Sequence, residues 1–270
     1  MRILVCNDMH LDINSNYLGR NLLPEFIEAL KKKKPDLIII PGDITDFADQ
    51  TIKILEVIEK NVGVKVLFVP GNHDVWVDNT ESSWDSYKLF ADHSTTLIGK
   101  PYHINDEYVV VGDMGWYDYS FAPESIPFNT MRSRKKTLWQ DGKFVRWGMD
   151  DPELMQKQMN AIQKGLEANR DKKVIFVNHF VPYKDFITYK SSDAEWNLCN
   201  GFMGSGNLGW LLDQFDNIEY VLFGHTHTRY GIIEDYRGKK VICNPIGYVG
   251  EWDSADFMEE LENNIVLIEL

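Results

Sequence analysis

The chain has 270 residues, 44% of them hydrophobic, enough for one large core, and no low-complexity linker divides it. Its 41 acidic and 28 basic residues give a formal charge of −13, which speaks against an extended nucleic-acid partner, since such binding rests on basic patches. Cys6, Cys199 and Cys243 are odd in number and lack CxxC spacing, so neither a disulfide framework nor a zinc knuckle is expected, and the protein reads as cytoplasmic.

Residues 2–6 read as a short apolar strand, and Asn7-Asp8 follows too soon for the apolar region of a signal peptide. No run approaches the roughly 20 apolar residues of a membrane helix, so no membrane contact is expected. Asp8-Met9-His10 occupies the loop beyond the strand; taken alone, Asp8 reads as a turn residue. An amphipathic helix is predicted from Pro24, closing on the lysines at 31–34, where the helix dipole favours cations. Residues 37–40 are a continuous apolar run of the parallel, doubly buried kind. Pro41-Gly42 then turns the backbone so that Asp43 emerges at the strand end. Asp46 either hydrogen-bonds an imidazole of the site or caps the next helix, in which Ile52, Leu55 and Ile58 recur at helical spacing. Residues 64–69 return as a strand that ends in Gly71-Asn72-His73-Asp74, completing a β-α-β-α-β pattern. Trp84, Tyr87 and Phe90 fit one buried helix face, while His93 and His103 belong to no motif and read as structural or surface groups. Residues 108–113 form a further predicted strand.

The stretch at about 114–151 is the least regular, with Trp116, Tyr117, Tyr119, Phe121, Trp139 and Phe144 interleaved with Arg132, Arg134, Lys135, Lys136 and Arg146. Long irregular segments inside compact domains are functional or disordered, and this aromatic content argues against disorder. The insert reads either as a lid, with Arg132 and Arg134 for phosphate and Trp116 among the aromatics for an organic moiety, or as a loop that packs on the sheet. One domain spanning 1–270 contains it.

Asp151-Pro152 opens a helix running to about 169, and the strand at 174–177 leads to Asn178-His179. The polar, glycine-rich residues 191–206 suit a second rim, and 205–215 read as a helix. The strand at 220–223 delivers Gly224-His225-Thr226-His227, where the i, i+2 spacing of an extended segment sends both imidazoles to one side. Arg229 is placed to reach phosphate or to pair with an acid. Residues 241–243 and 265–268 are closing strands, and the acidic stretch 251–262 reads as solvated.

In open α/β sheets ligands bind beyond the carboxyl ends of the strands, so these polar clusters are expected to converge. Oxygen and nitrogen donors without thiolate suit borderline or hard divalent ions, and a carboxylate bridges two of them. The ordered set Asp8-x-His10, Gly42-Asp43-x-x-Asp46, Gly71-Asn72-His73-Asp74, His179 and Gly224-His225-x-His227 resembles the calcineurin-like metallophosphoesterase superfamily over residues 8–227. That resemblance implies an α/β fold, a two-sheet mixed β-sandwich flanked by helices in four layers. It further implies two divalent ions, drawn from manganese, iron, zinc, cobalt and nickel. Asp8, His10 and His227 would hold one, Asn72, His179 and His225 the other, with Asp43 bridging. His73 resembles the family's catalytic histidine and Asp74 its orienting partner, in a reaction where a hydroxide bridging the ions attacks a phosphate ester.

Protein phosphatases of this superfamily write Asp-Arg-Gly and Asn-His-Glu where this chain has Asp46-Phe47-Ala48 and Asn72-His73-Asp74. The phosphate-binding arginine of that branch is missing, so a small-molecule or nucleotide phosphodiester or monoester is expected ahead of a phosphoprotein. A nuclease is the rival that the acidic charge opposes. A non-catalytic interaction protein would be expected to have lost ligands, whereas every motif position here is filled.

Overall fold

Short runs of β-branched and apolar residues form the strands at the centre of the protein, whose computed structural model describes residues 1–78 and 80–270. The chain begins with β1 (Arg2–Val5), α1 (Leu11–Leu18), α2 (Leu23–Lys33), β2 (Leu37–Ile40), α3 (Ala48–Val62), β3 (Lys65–Phe68) and α4 (Ser83–Asp92). It continues with β4 (Tyr102–His103), β5 (Tyr108–Gly112), α5 (Phe128–Leu138), α6 (Asp141–Phe144), α7 (Asp151–Glu167) and β6 (Lys173–Val177). The last part holds α8 (Ala194–Cys199), α9 (Gly206–Leu212), β7 (Ile218–Leu222), β8 (Gly231–Tyr236), β9 (Lys239–Cys243), α10 (Phe257–Asn264) and β10 (Val266–Glu269).

Two mixed sheets result, with strand orders β10-β1-β2-β3 and β4-β5-β6-β7-β9-β8. Within them β1, β2 and β3 run parallel, as do β5, β6, β7 and β9, while β10, β4 and β8 are antiparallel edges. Residues 96–98 tie the sheets together, since Thr96 bridges to Phe68 and Ile98 to Gly112.

The two-residue period of each strand decides what lies between the layers. Ile3, Val5, Leu37, Ile39 and Leu67 of one sheet meet Val110, Ile175, Val177, Leu222 and Ile242 of the other in a single buried cluster. The alternate residues, among them Leu4, Ile38, Val66, Val109, Phe176 and Val221, face outward into the helical layers. α2 lies against α3 and α10 on one side, and α7 lies on β5 and α9 on the other. The order of layers is therefore helices, sheet, sheet, helices, as the sandwich reading expects. Burial on both faces explains why the parallel strands read as unbroken apolar runs.

Two expectations change. Residues 251–262 are not simply solvated: α10 packs on α2, and its Glu260 is fully buried against the guanidinium of Arg229. The aromatic insert, expected to be the least regular stretch, contains helices α5 and α6, and its Trp116, Tyr117 and Phe121 are sunk in the core. Among the described residues no helix is long and apolar enough to cross a membrane.

Candidate metal centre

The loops after β1, β2, β3, β6 and β7 meet at one end of the sandwich. Their chemistry-bearing residues are backbone-strained: φ is 53° at Asp8, 41° at His10, 54° at Asp43, 68° at His225 and 51° at His227. Left-handed conformations at non-glycine residues cost on the order of 1–3 kcal/mol each and persist only where neighbours over-determine them. Here the neighbours are one another. Asp8 N–H donates to Gly42 O at 3.2 Å and His10 N–H to Asp43 O at 3.1 Å. His225 N–H donates to Asp8 Oδ1 at 2.8 Å and His73 N–H to Asp43 Oδ1 at 3.0 Å. Glycine is required where the loops touch, because a Cβ on Gly71 would lie 2.1 Å from Asp43 Oδ1 and one on Gly224 2.2 Å from Asp8 Oδ2. The segment carrying His225 and His227 is thus not extended. Their shared orientation comes from two left-handed residues rather than from strand alternation.

Four ligating atoms converge with at most one proton to share among them. Asn72 Nδ2 donates to Asp141 Oδ1 at 2.9 Å, which turns Asn72 Oδ1 inward. His179 Nδ1 lies 2.8 Å from the Pro41 carbonyl and His225 Nε2 3.1 Å from the Phe202 carbonyl, so each of these nitrogens carries its proton and donates outward. The inward atoms are then lone pairs: His179 Nε2 stands 3.2 Å from Asn72 Oδ1, 3.2 Å from His225 Nδ1 and 3.3 Å from Asp43 Oδ2. Buried acceptors left facing one another are unfavourable, and a cation is what relieves them. Burial opposes charge on His179, yet the Asp43 carboxylate outweighs it and pushes that imidazole up to about 9, a proton standing in the cation's place. His225 is held well below its ordinary value by burial and by the charge of His179, which keeps it neutral and able to ligate.

A second group shares the same wall. His10 Nε2 is 3.1 Å from His227 Nε2 and 3.8 Å from Asp43 Oδ2, and His227 Nε2 is 3.6 Å from Asp8 Oδ1. His227 Nδ1 donates to Glu251 Oε2 at 2.7 Å, the carboxylate–imidazole pairing that fixes a ligating tautomer. Burial and the charge of His73 keep His10 neutral, and its Nδ1 has no hydrogen-bond partner among the described residues. Asp8 with His10 and His227, and Asp43 with His179 and His225, thus form two donor groups, and Asp43 Oδ2 faces both. The donors present fit two divalent ions.

His73 stands beside them with its nitrogens otherwise engaged. Nδ1 meets Asp46 Oδ1 at 2.7 Å, Nε2 lies 3.3 Å from Tyr248 Oη, and the ring lies on Trp76 at a centroid distance of 3.8 Å. It is also near enough to His10 and Asp43 to count as a third donor group, but both its nitrogens already have partners. Burial works against its charge, but Asp43 and Asp46 outweigh burial and raise it. The partner is Asp46, not Asp74 as expected. Asp74 accepts from Asp43 N–H at 2.7 Å, Gly71 N–H at 2.8 Å and Thr51 Oγ1 at 2.6 Å, and so fastens the metal loops to each other. Asp46 does not cap α3, whose first residues have no side-chain cap.

Above the donors lies a cavity of about 790 Å³. Residues 138–141 with Phe144 of the insert form one wall, and residues from the 186–203 stretch, including Trp196 and Met203, form the other. The proposed substrate residues lie elsewhere. Trp116 is fully buried with its Nε1 on Asp151, Arg132 pairs with Asp150 at 3.1 Å and Arg134 with Glu195 at 3.0 Å. Arg229 turns to the Pro245 and Ile246 carbonyls and to Asp253 and Glu260. None of the four lines the cavity.

Three residues escaped the sequence reading. Asp141 is buried and accepts from Asn72, from Trp76 and Trp139 Nε1 at 2.8 and 3.0 Å, and from Tyr117 Oη at 3.0 Å. Nothing in the local sequence marks it, because its donors come from three separate segments. Tyr248 and Glu251 follow β9, and the carboxyl-end rule applied to that parallel strand as well would have reached them.

The sequence model of the calcineurin-like phosphoesterase family matches residues 1–229. Among solved structures, the phosphopantetheinyl hydrolase of Mycobacterium tuberculosis superimposes with a TM-score of 0.70 at 20% identity, over 93% of this chain and 90% of that one. A protein of Thermus thermophilus gives 0.55 at 15% identity, over 99% and 98%. A dimetal phosphatase from Danio rerio gives 0.52 at 16% identity, over 93% and 88%. At such identities the likeness is one of fold.

Proposed function

Because the chain belongs to the calcineurin-like phosphoesterases, and so to the metal-dependent hydrolases, we propose that it cleaves a small organic phosphate ester in the cavity over the two donor groups. One observation carries this reading: Asn72 Oδ1, Asp43 Oδ2 and His225 Nδ1 all turn to His179 Nε2 within 3.3 Å beneath that cavity, four ligating atoms with at most one proton to share among them. Asp8, His10 and His227 would hold one divalent ion and Asn72, His179 and His225 the other, with Asp43 between. Bound there, such ions supply a water of lowered pKa and offset phosphoryl charge.

The chain's own groups do the remainder. His73 keeps a proton on Nδ1 for Asp46 and presents Nε2 to the cavity, where a protonated imidazole reaches the leaving oxygen, a step worth about 10²- to 10⁴-fold. Asp46 orients that ring, and Tyr248 Oη is placed to donate to a phosphoryl oxygen beside it. The aromatic walls lower the local polarity beside these groups and raise the weight of each of these contacts. Imidazole and carboxylate donors accept manganese, iron, zinc, cobalt or nickel alike. Three free cysteines support a reducing, cytoplasmic compartment.

The test is turnover of bis(p-nitrophenyl) phosphate and p-nitrophenyl phosphate by manganese-loaded protein. Release of p-nitrophenol that disappears in Asp43→Asn is expected. Two bound ions with no turnover of any phosphate ester would overturn the proposal.

A further inference from the structure

The wall chemistry of the cavity narrows the substrate, given the hydrolase reading above. Among the residues lining it there is no lysine and no arginine, whereas Asp43, Asp46, Asp141 and Glu251 all contribute. Of the cations in the neighbouring segments, Lys190 lies over the Trp196 ring at 3.2 Å, Arg134 pairs with Glu195, Arg229 is bound to backbone carbonyls and acids, and Lys143 is exposed outside the cavity lining. A phosphate monoester carries a charge of about −1.5 to −2 near pH 7, and beyond the two ions the lining residues offer no guanidinium or ammonium group to offset it. A diester carries a single charge spread over two free oxygens, one of which Tyr248 can meet while His73 faces the leaving oxygen. The rest of the lining includes Ile13, Leu138, Trp139, Phe144, Ile187 and Met203, with uncharged polar groups such as Gln140, Thr188 and Asn200 between them. Its volume of about 790 Å³ is in the range of drug-sized ligands and exceeds what a phosphoryl group fills.

We infer that the substrate is a phosphodiester whose organic arm is elongated, uncharged and largely apolar, seated between the 138–144 wall and the 186–203 wall. Water adds its oxygen to phosphorus as one P–O ester bond breaks. The departing alkoxide takes a proton from His73, the proton given up by the attacking water restores His73, and the products are an alcohol and a phosphate monoester. The monoester gains charge that only the two ions would offset, the walls adding acids and no cation, so hydrolysis is expected to stop after one ester bond. Nucleoside di- and triphosphates are excluded on the same ground.

Two measurements on the manganese-loaded protein test this. In the first, kcat/KM is compared for p-nitrophenyl phosphate and for its methyl, butyl and octyl diesters. The diesters should exceed the monoester by at least about tenfold, and kcat/KM should rise about two- to fourfold per methylene from methyl to butyl as apolar contact grows. Leu138→Lys should reverse the order, raising turnover of the monoester and lowering that of the octyl diester. In the second, calorimetry compares dibutylphosphinate with butylphosphonate, inert mimics bearing one and up to two charges; the phosphinate should bind at least about tenfold more tightly. A monoester turned over faster than every diester, a flat chain-length series, or tighter phosphonate binding would overturn the inference and leave the hydrolase reading standing. Failure of all the esters with two ions bound would remove both.

Discussion

Replacing His73 by alanine should lower kcat by about 10²- to 10⁴-fold while leaving the divalent-ion content of the chain unchanged. The expectation rests on where its nitrogens point. Nδ1 is committed to Asp46 and Nε2 faces Tyr248, so neither completes the donor groups around Asp43. An ion lost together with activity would instead make His73 a ligand, a role that its distance to His10 and Asp43 alone would permit. Asp46→Asn offers an independent reading. The Asp46 carboxylate is one of the groups that raise His73, so its loss lowers that pKa. An imidazole that must be protonated to act then fails at lower pH, and the alkaline limb of the pH–rate profile should move toward acid. A limb that stays in place would remove Asp46 from the role of orienting partner.

The second large effect is expected at Asp141. Its alanine variant should bind the ion at Asn72 about 10- to 100-fold more weakly, because removing a group that orients a ligand typically costs that much. It should also be less stable by about 3 kcal/mol or more, since its donors from Asn72, Trp76, Tyr117 and Trp139 are left without an acceptor at about 1–3 kcal/mol each. For a chain of this size that is a fall of about 6–12 °C in Tm. Ion affinity measured below the transition separates the two effects. Native affinity with a lowered Tm would make Asp141 a packing residue of the insert and nothing more.

These two residues mark what could be read from the sequence and what could not. The positions of Asp8, His10, Asp43, Asn72, His179, His225 and His227 were legible because each lies within a few residues of an apolar run, and parallel strands carry such residues to one edge. The two sheets were legible in the same way, through runs too apolar to have a solvent face. The insert was not. Composition announced aromatics and arginines, but whether an arginine faces a ligand or a surface acid depends on partners far away in sequence, such as Glu195 for Arg134. Trp139, which lines the cavity with its ring 6.0 Å from that of His225, is indistinguishable in sequence from buried Trp116. Asp74 misled for a related reason: adjacency to His73 suggested a partner, while the short helical turn at His73–Val75 sends its carboxylate back to the Gly71 and Asp43 amides.

The central claim is that these side chains hold two ions that share Asp43. Titration of manganese into metal-free protein, by calorimetry in two buffers of different ionisation heat and across pH, tests it most directly. Two ions per chain are predicted, falling below two in Asp43→Asn. His179 in the metal-free fold carries a proton until pH rises to about 9, so binding below that pH must displace it. Proton release on loading and an affinity that weakens as pH falls from about 9 toward 6 are therefore expected. One ion per chain, or two bound with no proton release and equal affinity at both ends of that range, would contradict it.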